Sequence, residues 1–151
     1  MKYLMLFENF ESDDILLDIK DRLQYFEDDL DLYVSDRFLG GDLEIFISEK
    51  PPQGFSRSTD SIGRFRFDKN FKMTLDLLIK YCQQNDLKFS IQLWYKGRQV
   101  INVDGRGETM TFDYRKPDYT YVTKEIKHIT EIPTDRWVNL IKIIILNKKE
   151  N

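Results

Sequence analysis

Residues 70–103 read NFKMTLDLLIKYCQQNDLKFSIQLWYKGRQVINV, and two periodicities follow one another within them. Phe71, Leu75, Leu78, Ile79 and Cys82 recur at the three-and-four spacing of an amphipathic helix, which predicts a helix over about Asn70–Gln84. Asn70 is placed to cap its start and Asn85 to end it. From Leu87 the period becomes two: Leu87, Phe89, Ile91, Leu93 and Tyr95 alternate with Lys88, Ser90, Gln92 and Trp94. Lys96-Gly97 then turns the chain into a second strand over Arg98–Val103, with Ile101 and Val103 on one face. The unit specified is a helix followed by a β-hairpin.

The same unit precedes it. Ser12 can cap a helix over 12–28, Asp13 and Asp14 sit where carboxylates favour the helix dipole, and Ile15, Ile19, Leu23 and Phe26 form its stripe. Leu32-Tyr33-Val34 and the alternating Leu43, Ile45 and Ile47 flank Gly40-Gly41, a hairpin signal. If Tyr3–Phe7 is a strand, residues 1–95 run β-α-β-β-α-β, the ferredoxin-like order, with both helices on one face of an antiparallel sheet. Downstream, Asp104-Gly105-Arg106-Gly107 turns into a strand over Thr109–Tyr114, and another strand falls within Tyr119–Ile129. After Pro133, Thr134 or Asp135 can cap a last helix carrying Trp137, Leu140, Ile141, Ile144 and Ile145. The β-branched run there leaves a strand open as the alternative. The expectation is a single two-layer α+β domain over 1–151, its core extended by a β-meander and a C-terminal helix.

Composition bounds the chemistry. Eleven Phe, eight Tyr and two Trp among 151 residues can fill a core of ordinary size. A single Cys excludes an intramolecular disulfide framework and a cysteine-based zinc site, and a single His removes any mechanism needing two imidazoles. Residues 1–50 carry 14 acids and 5 bases, a net −9; residues 51–151 carry 18 bases and 12 acids, a net +6; together they give the overall −3. No run approaches the roughly 18 apolar residues of a membrane span. MKYLMLF is too short for a signal-peptide core, so a cytoplasmic location is expected.

Several local patterns are candidate sites. His128 stands in one H-x-T triplet where a phosphoesterase needs two. Cys82 lies on an apolar stripe and reads as a buried hydrophobe rather than a nucleophile. Asp14, Asp18 and Asp21 share a helix face but lack EF-hand spacing. Asp104–Gly107 can present N–H groups to a phosphate, or simply close a hairpin. No nucleotide-binding or hydrolase motif is present, and no metal or cofactor is implied. Arg57, Arg64 and Arg66 interleave with Phe55, Phe65 and Phe67, a mixture able to bind single-stranded nucleic acid or to form an ordinary alternating strand.

The opening Met1-Lys2-Tyr3-Leu4-Met5-Leu6-Phe7-Glu8-Asn9-Phe10, with Asp14–Asp21 and Phe71–Phe89, resembles small uncharacterised proteins of large tailed bacteriophages. That resemblance, over about residues 1–95, implies a phage accessory protein acting in the host cytoplasm and brings no catalytic residues. The first functional expectation is therefore a non-catalytic protein that binds another protein, an immunity or counter-defence factor being the narrower form. Its candidate docking residues are Asp13, Asp14, Asp18, Asp21, Asp28 and Asp29, which would cover a basic partner surface. The alternative is single-stranded nucleic-acid binding through Arg57, Arg64, Arg66, Phe65 and Phe67. An enzyme would need a polar pocket created by folding.

Overall fold

The computed structural model describes residues 13–51, 62–134 and 136–146, residues 13–16 by backbone alone. The Tyr3–Phe7 strand, the Ser12 and Asp135 caps and Arg57 lie outside the described residues. The chain runs α1 (Asp13–Asp28), β1 (Tyr33–Leu39), β2 (Asp42–Ser48), β3 (Phe65–Phe67), α2 (Lys69–Gln84), β4 (Phe89–Tyr95), β5 (Arg98–Val103), β6 (Met110–Arg115), β7 (Tyr121–Ile126), a 3-10 turn (Ile129–Glu131), β8 (Arg136–Val138) and β9 (Leu140–Ile145).

The expected α+β class holds. Seven strands form one antiparallel sheet in the order β1-β2-β9-β4-β5-β6-β7, and β3 pairs with β8 in a second, two-stranded sheet. Alternation sorts the large sheet into two faces. Leu43, Ile45 and Ile47 of β2, Ile141, Ile143 and Ile145 of β9, and Phe89, Ile91 and Leu93 of β4 are all buried, and they meet Ile19, Leu23 and Phe26 of α1 and Phe71, Leu75 and Leu78 of α2 in one core. The intervening residues, Phe46, Lys142, Gln92 and Asn102, are half-buried on the other face.

One expectation is corrected. The C-terminal segment read as a helix is instead β8, a bend at Asn139, and β9. Trp137, Leu140, Ile141, Ile144 and Ile145 do fit a helical stripe, but Ile141, Ile143 and Ile145 fit a strand equally. Tertiary pairing decides between them. β9 lies antiparallel between β2 and β4, so β2 and β4 run parallel to each other, joined by α2, with β9 inserted as in a split β-α-β unit. In the ferredoxin-like order that central place belongs to the first strand; here the last one fills it. A β-branched strand with hydrogen-bonded neighbours on both sides offsets what a helix would have gained in propensity.

A smaller correction concerns α2. Its N-cap is Asp68, not Asn70: the Asp68 carboxylate accepts the Phe71 N–H at 2.8 Å. Asn85 closes the other end as expected. Phe71 packs against Phe26 and Phe67, with ring centroids 4.5 and 5.3 Å apart, and stacks on Phe65 at 5.3 Å, tying α1, α2 and β3 together. Buried Lys72 donates from Nζ to the Thr130 and Ile132 carbonyls, anchoring the 3-10 turn to α2, and its burial lowers its pKa.

On the far face, Glu44 is buried between two cations. Its carboxylate accepts from Arg37 Nε at 2.6 Å and lies 3.4 Å from Lys142 Nζ, linking β1, β2 and β9. Burial alone would raise its pKa, but the Arg37 hydrogen bond and the Lys142 charge outweigh burial and hold it below the usual carboxylate value. A group depressed on folding stabilises fully above its unfolded pKa of about 4.3 and loses that contribution as pH falls through its folded value. Glu44→Gln should accordingly cost about 1–3 kcal/mol at pH 7 and much less near pH 3, in denaturant unfolding at both pH values.

Candidate functional site

The site is built where the large sheet comes apart. β5 and β6 pair only through Ile101–Val103 and Met110–Phe112. β5 stays paired with β4 out to Arg98, and β6 with β7 out to Arg115. Beyond Val100 and Asp113 the two hairpins therefore diverge, and a register shift opposite Leu93/Trp94 adds to the bend. Two adjoining cavities, about 180 and 230 Å³, occupy the fork and share Tyr95, Val100, Asp113 and Arg136 as walls. The inner one continues onto Phe67, Phe112 and Trp137; the outer one opens past Lys96, Arg98, Arg115 and Tyr121.

Cations stack on rings all along this opening. The Arg98 guanidinium lies 3.4 Å from the Tyr121 centroid, and Arg115 lies 4.5 Å from Tyr119 and 5.7 Å from Tyr121. Arg64 and Arg66 sit 4.3 and 5.3 Å over Trp137, and Arg136 lies 5.2 Å over Phe112. Among the described residues none of these five arginines forms an ion pair with a carboxylate. Stacking orients a guanidinium for about 0.5–1 kcal/mol at an exposed site and leaves its charge whole. The carboxylate lining the fork is Asp113, which accepts the Thr123 hydroxyl at 2.6 Å.

Two arms of the site are held in place by one buried amide. Asn139 accepts the Lys96 N–H at 2.7 Å and donates from Nδ2 to the Gly63 carbonyl at 2.6 Å, while its own N–H reaches the Trp94 carbonyl at 2.8 Å. Lys96 and Gly97 both have positive φ, +51° and +73°, the tight two-residue turn that fixes Tyr95 opposite Arg98. Gly63, with φ +81°, lies tight against Glu49, whose Oε2 accepts the Arg64 N–H at 2.7 Å and would have to move for a Cβ. The bend between β8 and β9 thus positions both the Arg64–Arg66 arm and the β4–β5 hairpin.

The residues picked out by sequence are dispersed. Arg64 and Arg66 are exposed and belong to this surface. Phe67 is fully buried, and half-buried Phe65 stacks on Phe71, so neither ring can meet a base as expected; their alternation with the arginines turns them into the core. Of the acidic set, Asp13 and Asp14 lie in the first turn of α1, their side chains outside the described residues. Asp18 accepts the Tyr81 hydroxyl at 3.1 Å and Asp28 the Gln24 amide at 3.2 Å; Asp21 and Asp29 are exposed. Cys82 is buried, its thiol pushed up to about 12 by desolvation, and is inert as a nucleophile. In the Asp104–Gly107 turn the Asp104 carboxylate already accepts the Arg106 and Glu108 N–H groups, which leaves no nest for phosphate. Exposed His128 precedes the 3-10 turn and makes no capping hydrogen bond there.

Tyr95, Arg98, Arg115, Tyr119, Tyr121, Arg136 and Trp137 were not singled out by the sequence reading. The run Arg115-Lys116-Pro117-Asp118-Tyr119-Thr120-Tyr121 at a hairpin tip, as mixed in cations and rings as the Arg/Phe segment, is a signal for Arg115, Tyr119 and Tyr121; Tyr95, Arg98, Arg136 and Trp137 have no such local signal. The chain matches no protein-family model, no curated protein and no solved structure with which it was compared. Replacement of Asn139 by Ala should cost about 1–3 kcal/mol in denaturant unfolding and speed amide exchange at Lys96, because the Gly63 carbonyl and the Lys96 N–H both lose their partner.

Proposed function

We propose that the protein binds single-stranded nucleic acid across the fork between β5 and β6. Such a ligand needs a cationic track for phosphates and flat surfaces for unpaired bases. Arg64, Arg66, Arg98, Arg115 and Arg136 supply the first. Exposed Tyr121, exposed Tyr119 and the arginine planes stacked on half-buried Trp137 supply the second. The carrying observation is five ring-stacked guanidiniums without a carboxylate partner among the described residues. Arg64 and Arg66 come from the Arg/Phe segment of the alternative sequence reading, Arg98, Arg115 and Arg136 do not, and the class of ligand is that of the alternative. Docking of a basic protein on the acidic face of α1 has weaker support, since Asp18 and Asp28 are engaged within the chain. A function for a phage in its host would be compatible with strand binding and rests on the N-terminal resemblance alone.

One further feature favours this surface. Tyr119, at the β6–β7 tip, is 72% exposed and has φ +70°, a conformation that costs a bulky side chain about 1–3 kcal/mol. Strain held in an exposed aromatic points to use of the ring rather than to stability.

Fluorescence anisotropy with a labelled oligonucleotide at varied salt tests the reading. Each phosphate contact on a single strand contributes about 0.7 to the slope of log K against log salt, so the double substitution Arg98→Ala and Arg115→Ala should flatten it by about 1.4 and weaken binding. No binding by the wild-type protein at low salt rejects the proposal. Tyr119→Gly should show opposite signs in two assays: a gain of up to about 1 kcal/mol in unfolding, from relief of the left-handed strain, with weaker oligonucleotide binding.

A further inference from the structure

We infer that the inner cavity of the fork takes one unpaired base of the bound strand, so that the protein recognises a base as well as a phosphate track. This rests on the strand-binding reading and goes beyond it, since a purely electrostatic surface needs no cavity. The inner chamber measures about 180 Å³ and is walled by Tyr95, Val100, Phe112 and Trp137. An apolar cavity of roughly 150 Å³ already admits a six-membered aromatic ring. The outer chamber, about 230 Å³, shares four of its walls and carries Lys96, Arg98 and Arg115.

The two chambers together have the amphipathic shape of a nucleotide. A flat apolar base would fill the inner one, and its phosphate would lie in the outer one among cations. Arg136 stands on the boundary, lining both chambers with its guanidinium over the Phe112 ring. Lys96, Arg98 and Arg115 line the outer chamber alone, whereas Asp113 lines both, so the cations set the orientation: base inward, phosphate outward. A double helix keeps its bases stacked and cannot present one this way without flipping it out.

The experiment compares a short oligonucleotide with an abasic strand of equal length and charge, using the intact protein and Val100→Phe, whose ring would narrow the passage at the wall the two chambers share while leaving every cation in place. Wild-type protein should prefer the base-bearing strand by roughly 5- to 150-fold, the range spanned by stacking of one base. In Val100→Phe that preference should shrink severalfold at unchanged salt slope. Methyl resonances of Ile101, Ile132 and Val138, which line the inner chamber alone, give a second readout in the wild-type protein independent of the variant's folding; they should shift with the base-bearing strand and stay in place with the abasic one. If the base-bearing strand binds but leaves these methyls in place, the cavity takes no base and strand binding on the basic surface stands. If neither strand binds at low salt, both readings fall.

Discussion

Everything in this fold depends on the insertion of β9 between β2 and β4. Ile141, Ile143 and Ile145 are completely buried, paired on one side with Ile47, Ile45 and Leu43 and on the other with Leu93, Ile91 and Phe89. Without that strand the β2-α2-β4 crossover would face two unsatisfied edges in the middle of the molecule, a cost no surface interaction offsets. The centre of the sheet closes only with the last of its strands, and the bend before it sets the site. Asn139, at that bend, is where closure of the core and positioning of Lys96 and Gly63 become one event.

The fork is the local consequence of a sheet whose two halves are held differently. The β1-β2-β9-β4 half is covered by helices and pairs over six or seven residues per strand. The β5–β6 junction pairs over three, and the strands on either side diverge. Divergence exposes ring edges and leaves space, and arginine is the side chain that can line such a space without collapsing into it. Its guanidinium packs flat on Tyr121, Tyr119 or Trp137 while its charge stays solvated. An ordinary salt bridge would have spent that charge inside the chain, as Glu44 does with Arg37 and Lys142 on the opposite face.

Periodicity made the two helices and the hairpins legible, because one side of each element is buried and the pattern has little freedom to mislead. It failed at 134–145, where isoleucines satisfy a period of 3.6 and a period of 2 together, and only the neighbours in the sheet arbitrate. The site was legible in composition and illegible in place. Arg64 and Arg66 were recognised, but their partner ring is Trp137, 73 and 71 positions away, brought opposite by the β3–β8 pairing. The phenylalanines beside them turn inward as the alternating-strand reading of the same segment has it, since alternation sends every second residue to the core and Phe is the apolar set. The cavities were beyond reach altogether: they arise from a register shift and an interrupted ladder, neither of which has a side-chain signature.

On the Arg98–Arg115 side of the fork, the sheet order sets the acidic half of the chain at a distance. The acids of 1–50 that are described belong to α1, β1, β2 and the segments adjoining them, whereas Arg98, Arg115 and Arg136 lie on β5, β6 and β8; Arg64 and Arg66, beside and on β3, are nearer, the Arg64 N–H being held by Glu49. β1 and β6 are five strands apart, about 24 Å at the usual 4.8 Å spacing. Charge at that distance is about three Debye lengths away at physiological ionic strength, where the length is about 8 Å. The net −3 of the whole chain is thus a poor guide to the local field at the fork, where Lys96, Arg98 and Arg115 line the opening. At low salt the screening length grows past the width of the sheet, and in the proposed strand binding the acidic edge would then turn the fork, and not α1, toward the ligand.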